Sequence, residues 1–186
     1  MAEISPLIPR QRVPALRLPL AGSGRFDVET EAPEHFTLLV FYRGLHCPLC
    51  KVQLRELERQ LGALAERGVG VVAISSDEEE RGERTKGDWG LADLRVAYGL
   101  DLETARGWGL YISSGRGPTS AGIEEPALFT EPALYLVRPD GTLYFGSVQT
   151  MPFARPHLSD ILGAIDFVLA KDYPARGEVT TLAKAE

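Results

Sequence analysis

Residues Phe36-Thr37-Leu38-Leu39-Val40-Phe41-Tyr42-Arg43-Gly44-Leu45-His46-Cys47-Pro48-Leu49-Cys50 decide how the chain reads. The run Phe36–Tyr42 is continuously β-branched, aromatic or aliphatic, which suits a strand covered on both faces. It breaks at Arg43-Gly44-Leu45-His46. From Cys50 the apolar residues Leu54, Leu57, Leu61 and Leu64 follow at spacings of 4, 3, 4 and 3, the stripe of an amphipathic helix. Gly68 is placed to end that helix. Val69–Ile74 then reads as a second buried strand. Strand, helix, strand is a βαβ unit, which predicts two parallel strands with a right-handed crossover.

Downstream, Ser75-Ser76-Asp77 and an acidic run suit a helix start, and residues 81–100 carry no clear period. Glu103–Leu110 predicts a short helix, and Ile112–Glu125, rich in Ser, Gly and Thr, an exposed loop. Ala133–Val137 predicts a third strand. Arg138-Pro139-Asp140-Gly141 has the residues of a tight turn, so Thr142–Val148 should return antiparallel. Leu158, Ile161, Leu162, Ile165, Val168 and Leu169 share one face of a last helix, which Tyr173-Pro174 ends. Upstream, Arg25–Thr30 holds a short strand. Four prolines before residue 20 favour an extended arm. The expected fold class is therefore α/β, a central mixed sheet flanked by helices. The chain reads as one domain over 1–186, with a Pro-rich arm at about 1–25 and a loose tail at about 177–186.

The chain has 186 residues, 44% hydrophobic and 25% charged, the balance of an ordinary globular protein. Lys and Arg total 20 against 26 Asp and Glu, a net charge of -6 with no basic stripe, so nucleic acid is not an expected partner. No apolar run reaches the ~18 residues of a membrane span. The first thirty residues lack a signal-peptide pattern, and a cytoplasmic location is expected.

In that compartment Cys47 and Cys50, the two cysteines of the chain, are redox-active or metal-binding before they are a structural staple. With Cys47 as helix N-cap, Pro48 falls at the first helical position, where its missing N–H is harmless. The free amides of the first turn and the positive helix end would favour the Cys47 thiolate. Arg43 and Lys51 are nearby cations. Cys50 falls on the apolar stripe, so the residues predict one exposed, acidic thiol beside a buried partner. Inert core thiols, or half of a zinc site completed from His35, His46 and His157, are the alternatives. His46 reads as a packing or surface residue, as do Trp89 and Trp108. Arg155 reads first as a solvated charge, and as a second candidate cation for Cys47 if its loop folds back over the site. No glycine-rich nucleotide loop follows any strand, so no cofactor and no metal are expected.

The segment Phe41–Cys50 followed by an amphipathic helix resembles the thioredoxin fold. More narrowly it resembles the peroxiredoxin-like branch of the alkyl hydroperoxide reductase/thiol-specific antioxidant (AhpC/TSA) superfamily. Val71–Asp77 and Leu134–Gly141 are similar to that superfamily's second strand and its later strand and turn, and the likeness spans roughly residues 15–170. It implies an antioxidant thiol oxidoreductase in which Cys47 attacks a peroxide or a disulfide and Cys50 resolves it. An external thioredoxin- or glutathione-type thiol would restore the pair, and a homodimer is allowed. Two departures stand out. Typical members carry Pro and Thr or Ser shortly before the attacking cysteine, where this chain has Arg43 and Gly44. They place an arginine before the later strand, where this chain has Glu131-Pro132-Ala133. Pro132 resembles instead the cis-proline facing the Cys-x-x-Cys of thioredoxins, so a cis Glu131–Pro132 bond is expected. Cys47, Cys50, Pro132 and Arg43 are the candidate catalytic residues. The alternatives are a disulfide reductase without peroxidase activity, or a redox-sensing module.

Overall fold

The computed structural model of the chain describes residues 4–181. Its elements are β1 (Arg17–Pro19), β2 (Arg25–Asp27), β3 (Phe36–Phe41), α1 (Pro48–Ala65), β4 (Val69–Ile74), α2 (Glu79–Asp88) and β5 (Arg95–Ala97). There follow α3 (Leu102–Gly107), β6 (Ile112–Ser114), β7 (Leu128–Thr130), β8 (Ala133–Val137), β9 (Leu143–Val148) and α4 (Leu158–Lys171). The central sheet runs β5-β4-β3-β8-β9. β3 pairs parallel with β4 and antiparallel with β8, so the sheet is mixed, with four helices flanking it.

The continuous apolar runs of β3 and β4 follow from burial on both faces. Leu38, Val40, Val71 and Ala73 join the cluster that includes Leu54, Leu57 and Leu64 of α1 and Ile161 and Ile165 of α4. Leu39, Phe41, Val72 and Ile74 join the opposite cluster, with Trp108 and with Leu16, Leu18 and Phe26 from the N-terminal segments. The arm is thus a cover for one sheet face, and β1 and β2 pair as a short ribbon there.

The acidic run after Asp77 starts a helix as expected, and through residues 81–100, which carry no clear period, α2 leads past buried Trp89 to β5, which pairs with β4. One expectation is corrected and another narrowed. Ile112–Glu125 is not a free loop; β6 pairs with β7, and the intervening residues fold back on the protein. The α4 stripe is narrower than the periodicity implies: Ile161 and Ile165 are buried and Leu158, Leu162 and Val168 pack half-buried against the same cluster, while Leu169 is exposed. The expected loose tail falls partly at 182–186, outside the described residues; before it, Glu178 lies 3.2 Å from Arg10, which also donates to the Ala175 carbonyl.

Among the described residues, no helix is long and apolar enough to cross a membrane.

Candidate active site

Cys47 follows the C-terminal end of the central strand β3, where the chain turns into α1. It is the N-cap of α1, with Pro48 in the first turn as the sequence predicts. Its sulfur accepts the backbone N–H of Cys50 at 3.2 Å. That amide is one of the orphan donors of the first turn, and a thiolate satisfies it better than a thiol.

The turn before Cys47 is held by a buried carboxylate. Asp77, just after β4, accepts the Leu45 amide at 2.7 Å and Arg81 Nε at 2.9 Å. Burial pushes the Asp77 carboxyl upward against those two bonds. Gly44 sits at φ +133, and a Cβ there would stand 2.7 Å from both Asp77 carboxylate oxygens. Asp77 escapes a reading of the site from sequence alone, because its role comes from parallel pairing of β3 with β4.

Both sulfurs are sealed from solvent: Cys47 is 1% and Cys50 0% exposed. The expectation of an exposed Cys47 is corrected by a segment 108 residues downstream. Arg155 Nη2 lies 3.2 Å from Cys50 Sγ and 3.8 Å from Cys47 Sγ. Its Nη1 donates to Gln53 Oε1 on α1. Ala154 beside it has φ 59, a left-handed conformation that a non-glycine residue adopts at a cost. This backbone reversal positions the arginine, so of the two readings of Arg155 the structure takes the one in which its loop folds back over the site, and not the solvated charge.

The two thiols are electrostatically unlike. Cys47 is pulled down to about 6 by the hydrogen bond from the Cys50 thiol, then by the Cys50 amide and the charges of Arg155 and Arg43; its burial acts in the opposite sense. Cys50 is pushed well up, by burial first, then by its interaction with the Cys47 sulfur as a hydrogen-bond partner and as a charge. Arg155 Nη2 reaches both sulfurs, so the cation acts on the Cys47 thiolate directly while it also donates to the Cys50 sulfur. Replacing Arg155 by methionine should raise the midpoint of Cys47 ionisation by about one pH unit, because an opposite charge within a few ångströms is removed. Thiolate absorbance near 240 nm, followed against pH, reads this directly; an unmoved midpoint would show that the Cys50 hydrogen bonds suffice.

Arg43 points elsewhere. Its guanidinium stands 4.5 Å over the Phe129 ring, Nη2 lies 3.3 Å from Glu125, and Nε lies 3.3 Å from buried Glu131. It ties the turn before Cys47 to the segment around β7 and reaches Cys47 only as a distant charge. His46 is fully buried against Phe129, with Nδ1 3.4 Å from Arg81. Burial, with Arg43 and Arg81 nearby, lowers it to about 3, so it is neutral at physiological pH. Thr119 Oγ1 donates to the His46 carbonyl at 2.7 Å, which places the former loop as a cover over the turn.

Pro132 stands just before Ala133, which pairs with Phe41, so it is level with the end of β3. The Glu131–Pro132 peptide is trans, not cis. The β6 segment fixes Glu131 by two bonds: the Glu131 amide donates to the Tyr111 carbonyl at 2.8 Å, and the Ser113 hydroxyl donates to the Glu131 carboxylate at 2.6 Å. Trp89 and Trp108 are both core residues. Among the described residues, no group of three or more His, Cys, Asp or Glu side chains is arranged to hold a metal ion.

The sequence profile of the AhpC/TSA family matches residues 9–145. Solved structures share the fold at low identity. Peroxidoxin BcpB from Mycobacterium tuberculosis aligns with a TM-score of 0.68 and 15% identity, over 87% of this chain and 98% of that one. AhpC from Enterococcus faecalis gives 0.69 and 17%, over 91% and 98%. The reduced 2-Cys peroxiredoxin of Plasmodium vivax gives 0.72 and 16%, over 90% and 84%. No curated protein matches the chain.

Proposed function

We propose that this chain, which belongs to the AhpC/TSA family, is a peroxiredoxin-like thiol oxidoreductase that cycles Cys47 and Cys50 between dithiol and disulfide. The observation that carries the reading is the placement of Arg155 Nη2 against both sulfurs, 3.2 Å from Cys50 and 3.8 Å from Cys47, beside the Cys50 amide that donates to the Cys47 sulfur.

With a peroxide, the Cys47 thiolate attacks one oxygen of the O–O bond. An S–O bond forms, the O–O bond breaks, and the departing alkoxide or hydroxide takes a proton from solvent. The sulfur is oxidised by two electrons to a sulfenic acid. Cys50 then attacks that sulfur, the S–S bond forms, and its thiol proton leaves with the hydroxide as water. An external dithiol or two glutathione-type thiols reduce the disulfide by exchange. Reaction with a disulfide substrate would replace the sulfenic acid by a mixed disulfide.

A small peroxide is the better oxidant for a sulfur that is only 1% exposed, since a protein disulfide must bring its own backbone up to the attacking atom. Either oxidant requires the Arg155 segment or the cover around Thr119 to move. A cycle that depends on external thiols suits the cytoplasm, and we place the protein there.

The test is a single turnover. Reduced protein is mixed with hydrogen peroxide, cumene hydroperoxide or an aromatic disulfide, and free thiols are counted against time. Loss of two thiols per oxidant, fastest with a peroxide, is expected. Retention of both thiols with every oxidant would end the enzymatic reading.

A further inference from the structure

Behind Arg155 lies a cavity of about 430 Å³ on the helix side of the sheet, within the range of small-molecule sites. Leu38, Val40 and Leu134 of the sheet, Leu57 of α1 and Ile161 of α4 line it. Neither sulfur does. Arg155 both lines the cavity and contacts the sulfurs, so it forms the partition between them. Glu56 is the one acidic residue among the described lining residues. The Arg155 guanidinium also keeps a donor, Nε, that has no hydrogen-bond partner.

An apolar chamber with a cation in its wall is complementary to an amphiphile carrying one negative head. Hydrocarbon leaves water on entering, and a guanidinium matches a carboxylate in a two-point geometry that sulfur does not offer. We propose that the cavity binds a small monocarboxylate with an apolar body, and that its carboxylate draws Arg155 away from Cys47 and Cys50. Coupling of this kind is reciprocal: a ligand that competes for Arg155 weakens the thiolate, and the thiolate weakens the ligand. The inference stands on the placement of Arg155, not on which oxidant the protein reduces.

The test uses the full chain, held reduced with a phosphine, and calorimetric titration with decanoate, decanol and decyltrimethylammonium below micelle-forming concentrations. Decanoate should bind at least about tenfold more tightly than decanol, and the ammonium most weakly. Arg155→Met should erase the difference between decanoate and decanol while leaving decanol bound. On the native protein, saturating decanoate should slow alkylation of Cys47 by iodoacetamide at pH 6 by about threefold or more, and saturating decanol should not. Equal affinity for decanoate and decanol would overturn the proposal. So would an alkylation rate that decanoate leaves unchanged, or that decanol slows as much. None of these readouts involves peroxide, so their failure is separate from failure of the enzymatic reading.

Discussion

Cys47→Ser should abolish thiol loss on mixing with peroxide, whereas Cys50→Ser should still react once and stop at a sulfenic acid. Serine is a good helix N-cap, and its oxygen can accept the Cys50 amide that the Cys47 sulfur accepts at 3.2 Å. The fold is therefore retained while the ionisable nucleophile is lost, since a serine hydroxyl does not ionise near neutral pH. Cys50→Ser keeps the backbone amide and the Arg155 charge, and removes the resolving sulfur. Intact mass spectrometry distinguishes the outcomes: no added oxygen on the first variant, and one dimedone adduct on the second. Equal reactivity of Cys47→Ser and the native protein would remove Cys47 from the attacking role. A dimedone adduct on Cys50 in the native protein would reverse the assignment.

Gly44→Ala should be among the most destabilising small substitutions in the chain. Two costs coincide. The backbone at φ +133 is one that residues with a side chain rarely adopt, and the new methyl would meet both oxygens of the buried Asp77 carboxylate at 2.7 Å. Asp77 cannot withdraw cheaply, because it holds the Leu45 amide and Arg81. A loss of about 3 kcal/mol is expected in urea unfolding. Gly24→Ala separates the two terms: it has φ +87 and open space around its Cβ, so it should lose only about 1 kcal/mol. Gly44→Ala should also displace Leu45–Cys47 and slow Cys47 labelling in the fraction that remains folded. Equal losses at the two glycines would show that the Asp77 contact is soft.

How much was legible in the sequence follows the range of the interactions. The β3–α1 junction, the Cys47 N-cap, Pro48 in the first turn and the burial of Cys50 are set within a few residues, and all are readable from 36–65. The parallel βαβ unit and the β8–β9 hairpin are nearly as local. What failed depended on the chain returning from far away. Arg155 approaches the sulfurs across 105 and 108 residues, through a left-handed residue that no periodicity announces. Thr119 caps the turn at His46 from 73 residues on, in a stretch whose composition reads as a loop. By its neighbours in sequence Pro132 resembles a proline facing a dithiol, but its peptide geometry is trans. Arg43 stands beside Cys47 in sequence, whereas Glu125 and Glu131, which take up its charge, lie 82 and 88 residues beyond it. Asp77 was no more legible: its role depends on the parallel pairing of β3 with β4, which brings it against Gly44.

The central claim is that two sulfurs three residues apart carry different protonation states. It is tested most directly by the pH dependence of iodoacetamide labelling at each cysteine of the reduced native protein, resolved by peptide mass spectrometry. Ionisation of Cys47 releases a proton, and its folded midpoint lies below the usual thiol value, so its labelling should rise with pH and level off above a midpoint near 6. Cys50, buried and pushed up, should stay unlabelled well past pH 8. Joint labelling of both cysteines with one midpoint above 8, or labelling of Cys50 ahead of Cys47, would contradict the account.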